Sequence, residues 1–158
     1  MHVSLAISGL WIIQNQEDFI WLQSLKSDNF IITWVNHSFT HRYCKDIAME
    51  SNFLLLSDTV IQSEILDTER ILVENGEIPS IFFRFPGLIS DEKFLVELKK
   101  YGLVQLGSGA WISKMKEGDI ILIHGNGNEE RKALEILCKF IDSTNLQFLK
   151  LENEMKNF

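Results

Sequence analysis

Short apolar runs alternate along this chain with longer segments in which apolar residues recur at helical spacing. The runs fall at residues 3–13, 30–35, 80–84, 103–106, 119–123 and 147–151, and each reads as a buried strand. Between them, Val60, Ile61, Ile65, Thr68, Ile71 and Leu72 fall near i, i+4, i+7 and i+11 behind Ser57-Asp58, a good pair for starting a helix. Ser90-Asp91 precedes Phe94, Leu95 and Leu98, and Gly102 closes that helix. A shorter helix is expected around Phe19, Ile20, Trp21 and Leu25. Another follows Asn128, with Leu134, Ile136, Leu137, Phe140 and Ile141 facing inward. Residues 152–158 are expected to fray.

Strands and helices that take turns imply an α/β fold with a mainly parallel sheet and outer helices. Parallel barrels carry their working residues at the C-terminal ends of strands. His37, Arg84 and His124 occupy that position after the second, third and fifth strands. A random scatter of polar residues would not share it.

Composition changes this picture little. At 158 residues the chain suits one domain with a real core. The formal charge of −7 comes without a basic cluster, which argues against nucleic acid as a partner. Cys44 and Cys138 are too few and too far apart for a disulfide framework. The apolar start, residues 1–11, lacks a basic leader region and is too short to cross a bilayer, so it reads as a strand; the expectation for the sequence as written is a cytoplasmic chain, with its location otherwise open.

His37-Ser38-Phe39-Thr40-His41 carries the first candidate chemistry. Two imidazoles four residues apart point the same way on a helical turn. Neutral imidazole is the commonest metal-binding side chain, although two histidines after a strand also read as ordinary polar surface residues. Cys44, three residues on, would join them on such a turn as a His-His-Cys zinc set; a structural thiol is the alternative.

Taken together, Asn36-His37-Ser38-Phe39-Thr40-His41, Phe83-Arg84-Phe85-Pro86-Gly87, Ala110-Trp111-Ile112 and Ile120-Ile121-Leu122-Ile123-His124-Gly125-Asn126 resemble, in order, segments of the polysaccharide deacetylases with a NodB homology domain. The likeness spans roughly residues 3 to 151. It implies an incomplete (β/α) barrel in which His37 and His41 ligate a divalent metal, zinc or else cobalt or nickel. It implies His124 as the general acid, Arg84 as the arginine that steadies the catalytic base, and Trp111 and Pro86 as substrate contacts. The activity implied is metal-dependent removal of N- or O-acetyl groups from a polysaccharide or amino sugar; the alternative is a degenerate relative that binds a glycan or partner without hydrolysis.

One family segment has no counterpart. The Asp-Asp doublet, which supplies a metal ligand and the base, occurs nowhere in the chain, and residues 3–11 resemble the family's second strand. The expectation is a single domain over 1–158 that lacks the first β/α unit and holds its metal weakly. An open sheet edge would then favour a homodimer or larger assembly.

Overall fold

The first strand is shorter than the apolar run that announces it. In the computed structural model β1 (His2–Ile7) stops at Ser8, whose hydroxyl accepts from the Trp11 amide and caps α1 (Gly9–Gln14). The expected strand over 3–13 is thus a strand followed by a helix. Ser8-Gly9 was the signal: a capping side chain, then a residue without a Cβ where the Phe39 ring approaches closely.

The structure describes residues 1–107, 110–111, 114, 116, 118–124, 132–143 and 148–154. They gather into two compact units, Met1–Leu106 with Phe148–Phe158, and Gly107–Gln147. In the first unit, β1 lies parallel to β2 (Ile31–Asn36), in register from His2 opposite Ile31 to Ile7 opposite Asn36. The third strand, β3 (Phe82–Phe83), joins at Asn36 opposite Phe83, and β4 (Val104–Gln105) completes the order β1-β2-β3-β4. All these pairings are parallel.

Helices α2 (Gln16–Ser24), α3 (Ile61–Glu74) and α4 (Glu92–Lys100) alternate with the strands, as the periodicity predicts. Asp91 caps α4 by accepting from the Phe94 amide. The central strands are buried on both faces, which is why they read as unbroken apolar runs. Trp34 packs with Ile7, Ile12, Phe19, Ile32, Ile71 and Leu72 on one side of the sheet. Its neighbour Val35 meets Phe82 and Leu106 in another cluster. A third cluster, Leu54, Ile65, Phe83, Phe85, Phe94 and Leu98, holds β3 to α3 and α4. Ile20 and Trp21 on α2 stay exposed, and only Phe19 of that helix is buried.

The strand expected over 147–151 is not formed in the described part. Residues 148–150 are irregular and α6 (Leu151–Glu154) is a helical turn. Leu151 packs against the cluster of Val35, Phe82 and Leu106, and the Thr33 hydroxyl donates to the Glu152 carboxylate at 3.0 Å. These contacts order residues that end effects alone would leave frayed.

The second unit holds β5 (Ala110–Trp111), β6 (Ile121–Leu122) and α5 (Ala133–Ser143). The two strands are parallel, with Trp111 opposite Leu122. On α5 only part of the expected inward face is covered: Leu137 and Phe140 are half-buried, whereas Leu134, Ile136 and Ile141 are exposed. The Asn128 cap lies outside the described residues. Among the described residues no helix is long and apolar enough to cross a membrane.

Candidate functional site

Strand β2 runs out into a tight loop rather than a helix. Ser38 (φ 67°) and His41 (φ 48°) both adopt the left-handed backbone region. The helical turn expected to align the imidazoles is therefore absent, yet the rings meet, with centroids 4.7 Å apart and planes at 62°. Two imidazoles bound to one zinc at about 2.0–2.1 Å put their ring centres roughly 5 Å apart, so this spacing suits a shared ion.

His37 is oriented by a backbone contact. Its Nδ1 lies 2.7 Å from the Arg84 carbonyl oxygen. A carbonyl only accepts, so Nδ1 carries the proton and donates, and the ring's lone pair sits on Nε2. That is the usual outer-shell arrangement of a metal-binding histidine. The contact is possible because Arg84 directly follows β3 and its amide donates to the Asn36 carbonyl at 2.8 Å, which extends the ladder past the strand end. The family resemblance implies a role for the Arg84 side chain. The structure adds one for its carbonyl, while the residue itself is buried.

Phe53 links the other side of the pair to the Pro86 segment. Its ring meets His41 edge-on at 5.8 Å and Tyr43 at 5.3 Å. Gly87 has φ 62°, and a Cβ there would lie 2.4 Å from the Phe53 ring. Gly87→Ala therefore combines left-handed strain with a clash, at about 1–3 kcal/mol, and shifts the ring beside His41. Urea unfolding together with the His41 ring proton shifts checks both effects.

The loop is held from beneath. The Phe39 and Thr40 amides donate to Glu64 Oε2 at 3.0 and 2.9 Å, and the Thr40 hydroxyl donates to Glu64 Oε1 at 2.7 Å. Asn36 Oδ1 accepts from the Ser38 amide at 3.0 Å, and Ser38 Oγ accepts from the His41 amide at 3.1 Å. Two left-handed residues cost about 1–3 kcal/mol each. Hydrogen bonds to a charged acceptor return about 1.5–3 kcal/mol each, enough to offset that strain.

Asn36 also donates through Nδ2 to the Ile65 carbonyl at 2.9 Å and to Glu69 Oε1 at 2.6 Å. Burial raises the Glu69 carboxyl above its usual range, against the lowering effect of hydrogen bonds from Asn36 and the Ser80 amide. A raised folded-state value means the native protein binds the proton more tightly than the unfolded chain. Its stability contribution is full below the ordinary carboxylate range and is lost as pH rises through the raised value. Denaturation midpoints of Glu69→Gln, compared with wild type from about pH 4 to 7, should lack that fall.

Asn36, Phe53, Glu64 and Glu69 are the site residues that sequence reasoning missed. Asn36 offered a signal, a polar residue closing an apolar strand. Glu64 and Glu69 read as ordinary acids on an amphipathic helix.

Cys44 does not join the histidines: its amide and carbonyl are both tied to the Asn52 side chain, because the chain leaves the histidines without helical spacing. Among the described residues no group of three His, Cys, Asp or Glu side chains is arranged to hold a metal. Asp58 is paired with Arg42 through the two terminal guanidinium nitrogens at the surface, which holds its carboxyl below the usual range. A surface hollow of about 420 Å³ lies against α4 and β4 and contains no candidate residue. One of about 290 Å³ is lined by Arg42, Leu55, Leu56 and Asp58, from the segment beyond His41.

His124 and Trp111 belong to the second unit. Trp111 ends β5, and His124 comes two residues after β6, half-buried. His124 thus keeps the strand-end position that His37 and Arg84 hold in the first unit. Ile112, Gly125 and Asn126 lie outside the described residues.

No protein-family profile matches the sequence. Solved structures do. A family 4 carbohydrate esterase from Bacillus anthracis aligns with a TM-score of 0.70 at 18% identity, over 99% of this chain and 70% of that one. Peptidoglycan deacetylase PdaC from Bacillus subtilis aligns at 0.68 and 14% identity, over 98% and 76%. A family 4 pseudoenzyme from Bacillus anthracis aligns at 0.57 and 14% identity; the match takes in 90% of this chain but only 51%, about half, of the pseudoenzyme. With its parallel sheet, outer helices and strand-end histidine loop, this chain has the fold of the NodB-type polysaccharide deacetylases, the family 4 carbohydrate esterases.

Proposed function

We propose that this chain is a metal-dependent hydrolase that removes N- or O-acetyl groups from a polysaccharide or amino sugar. The observation that carries the reading is the meeting of His37 and His41 with the His37 Nδ1–H committed to the Arg84 carbonyl. The donor set fits a divalent ion in two positions, His37 through Nε2 and His41 through its ring, with zinc, cobalt or nickel all acceptable to imidazole. When bound, such an ion supplies a Lewis acid that polarises a carbonyl and makes water more acidic. With two imidazoles and, among the described residues, no third His, Cys, Asp or Glu grouped with them, it would be weakly held.

The remaining roles fall to the chain's own residues. Arg84 fixes the tautomer and angle of His37 through its backbone. His124 gives its proton to the departing amine nitrogen, general-acid work that an imidazole most often performs. By the family resemblance, Trp111 and Pro86 are the residues proposed as substrate contacts. Self-association through β1 is part of the same reading, since among the described residues that strand is paired on one side only. Light scattering that reports a clean monomer at micromolar concentration would count against it.

A second reading has its own support. A protein of this fold that binds a glycan without hydrolysis agrees with the lack of a third ligand among the described residues and with the presence of a pseudoenzyme among similar folds. Acetate release from chitooligosaccharides, with added zinc, cobalt or nickel, separates the two. Release that disappears in His37→Ala supports hydrolysis. No release under any metal, from folded protein that still binds the sugar, supports the second reading.

A further inference from the structure

We propose that Glu64 is a positioning residue for the histidine pair: its carboxylate fixes the backbone of residues 38–41 so that the two imidazoles converge. The inference rests on the metal reading above for its purpose but not for its geometry. From residue 37 to 41 every backbone amide has a named acceptor. His37 donates to the Ile7 carbonyl, Ser38 to Asn36 Oδ1, Phe39 and Thr40 to Glu64, and His41 to Ser38 Oγ. Glu64 thus holds the middle of the loop, between the two left-handed residues Ser38 and His41. It does so from α3, an element that contributes none of the sequence-predicted site residues, and it is buried.

The residue type matters. A carboxylate only accepts, and its two oxygens here take two amides and one hydroxyl. Glutamine keeps one acceptor oxygen, and the Thr40 hydroxyl can turn to accept from its amide. Leucine keeps the bulk and accepts nothing. Among the described residues no third His, Cys, Asp or Glu is grouped with the histidines to hold a metal, so Glu64 acts through the loop.

The test uses the full chain in three variants, Glu64→Leu, Glu64→Gln and Thr40→Val, with two independent readouts. In metal-free protein, amide exchange at Phe39 and Thr40 and the contact between the His37 and His41 rings are followed by NMR. Cobalt(II) titration then reports affinity well below the unfolding temperature. Glu64→Leu is expected to lose amide protection and the ring contact, and to weaken cobalt binding by about 10–100-fold, the usual effect of losing an outer-shell partner. Glu64→Gln should fall between it and wild type, and Thr40→Val should change least.

A folded Glu64→Leu with unchanged protection, ring contact and affinity overturns the proposal. Should that variant fail to fold, Glu64→Met, which keeps the length and offers no oxygen acceptor, decides it: wild-type exchange at both amides would overturn it equally. A wild-type chain that binds no cobalt, with rings that still separate in the Glu64 variants, keeps the positioning role and removes the metal reading instead.

Discussion

His37→Ala is expected to weaken zinc or cobalt binding by more than about 100-fold and to reduce any acetate release to background. Loss of an outer-shell partner alone costs about 10–100-fold in affinity, and His37 is one of two imidazoles, so losing the ligand itself must exceed that. The fold should survive. The substitution leaves the Arg84 carbonyl without this donor, a hydrogen bond with a net worth of about 0.5–1.5 kcal/mol. Isothermal titration beside a urea melt separates the two quantities. Equal affinity in the variant would mean that the histidine pair is not the binding centre.

The largest effect on stability is expected from Asn36→Ala, at about 3–4 kcal/mol. Asn36 is fully buried at the end of β2. It donates to the Ile65 carbonyl and Glu69 and accepts from the Ser38 amide. Truncation leaves several of these groups dry and unpaired, at about 1–3 kcal/mol for each that water cannot reach. It also releases the Ser38 turn, so affinity for cobalt should fall together with stability. Chemical denaturation at fixed pH measures the first effect. A loss under about 1 kcal/mol would show that the buried network contributes little.

Much of this arrangement was legible in the residues. Parallel strands buried on both faces announce themselves as apolar runs, and Ser57-Asp58 and Ser90-Asp91 marked the starts of α3 and α4 within a few residues. The strand ends before His37 and Arg84 were found because apolar runs stop where the sheet stops. Less legible were features that depend on contacts distant in sequence. Ser8 turned an apolar run into a helix because its hydroxyl caps α1, and residues 148–151 lost their strand to packing of Leu151 on Val35 and Phe82. The site shows the same division. Spacing suggested that His37 and His41 meet, but through a helical turn; the real cause is a left-handed loop held by Glu64 and Asn36. Nothing in the spacing of an acid on an amphipathic helix shows that its carboxylate points at a loop two dozen residues earlier.

The most direct test of the account is a crystal structure of the chain soaked with zinc, read by anomalous scattering at the metal edge. Expected is one ion bonded to His37 Nε2 and to the His41 ring, with His37 Nδ1 still donating to the Arg84 carbonyl. Zinc found only at other groups, or a His37 ring turned away from that carbonyl, would contradict it.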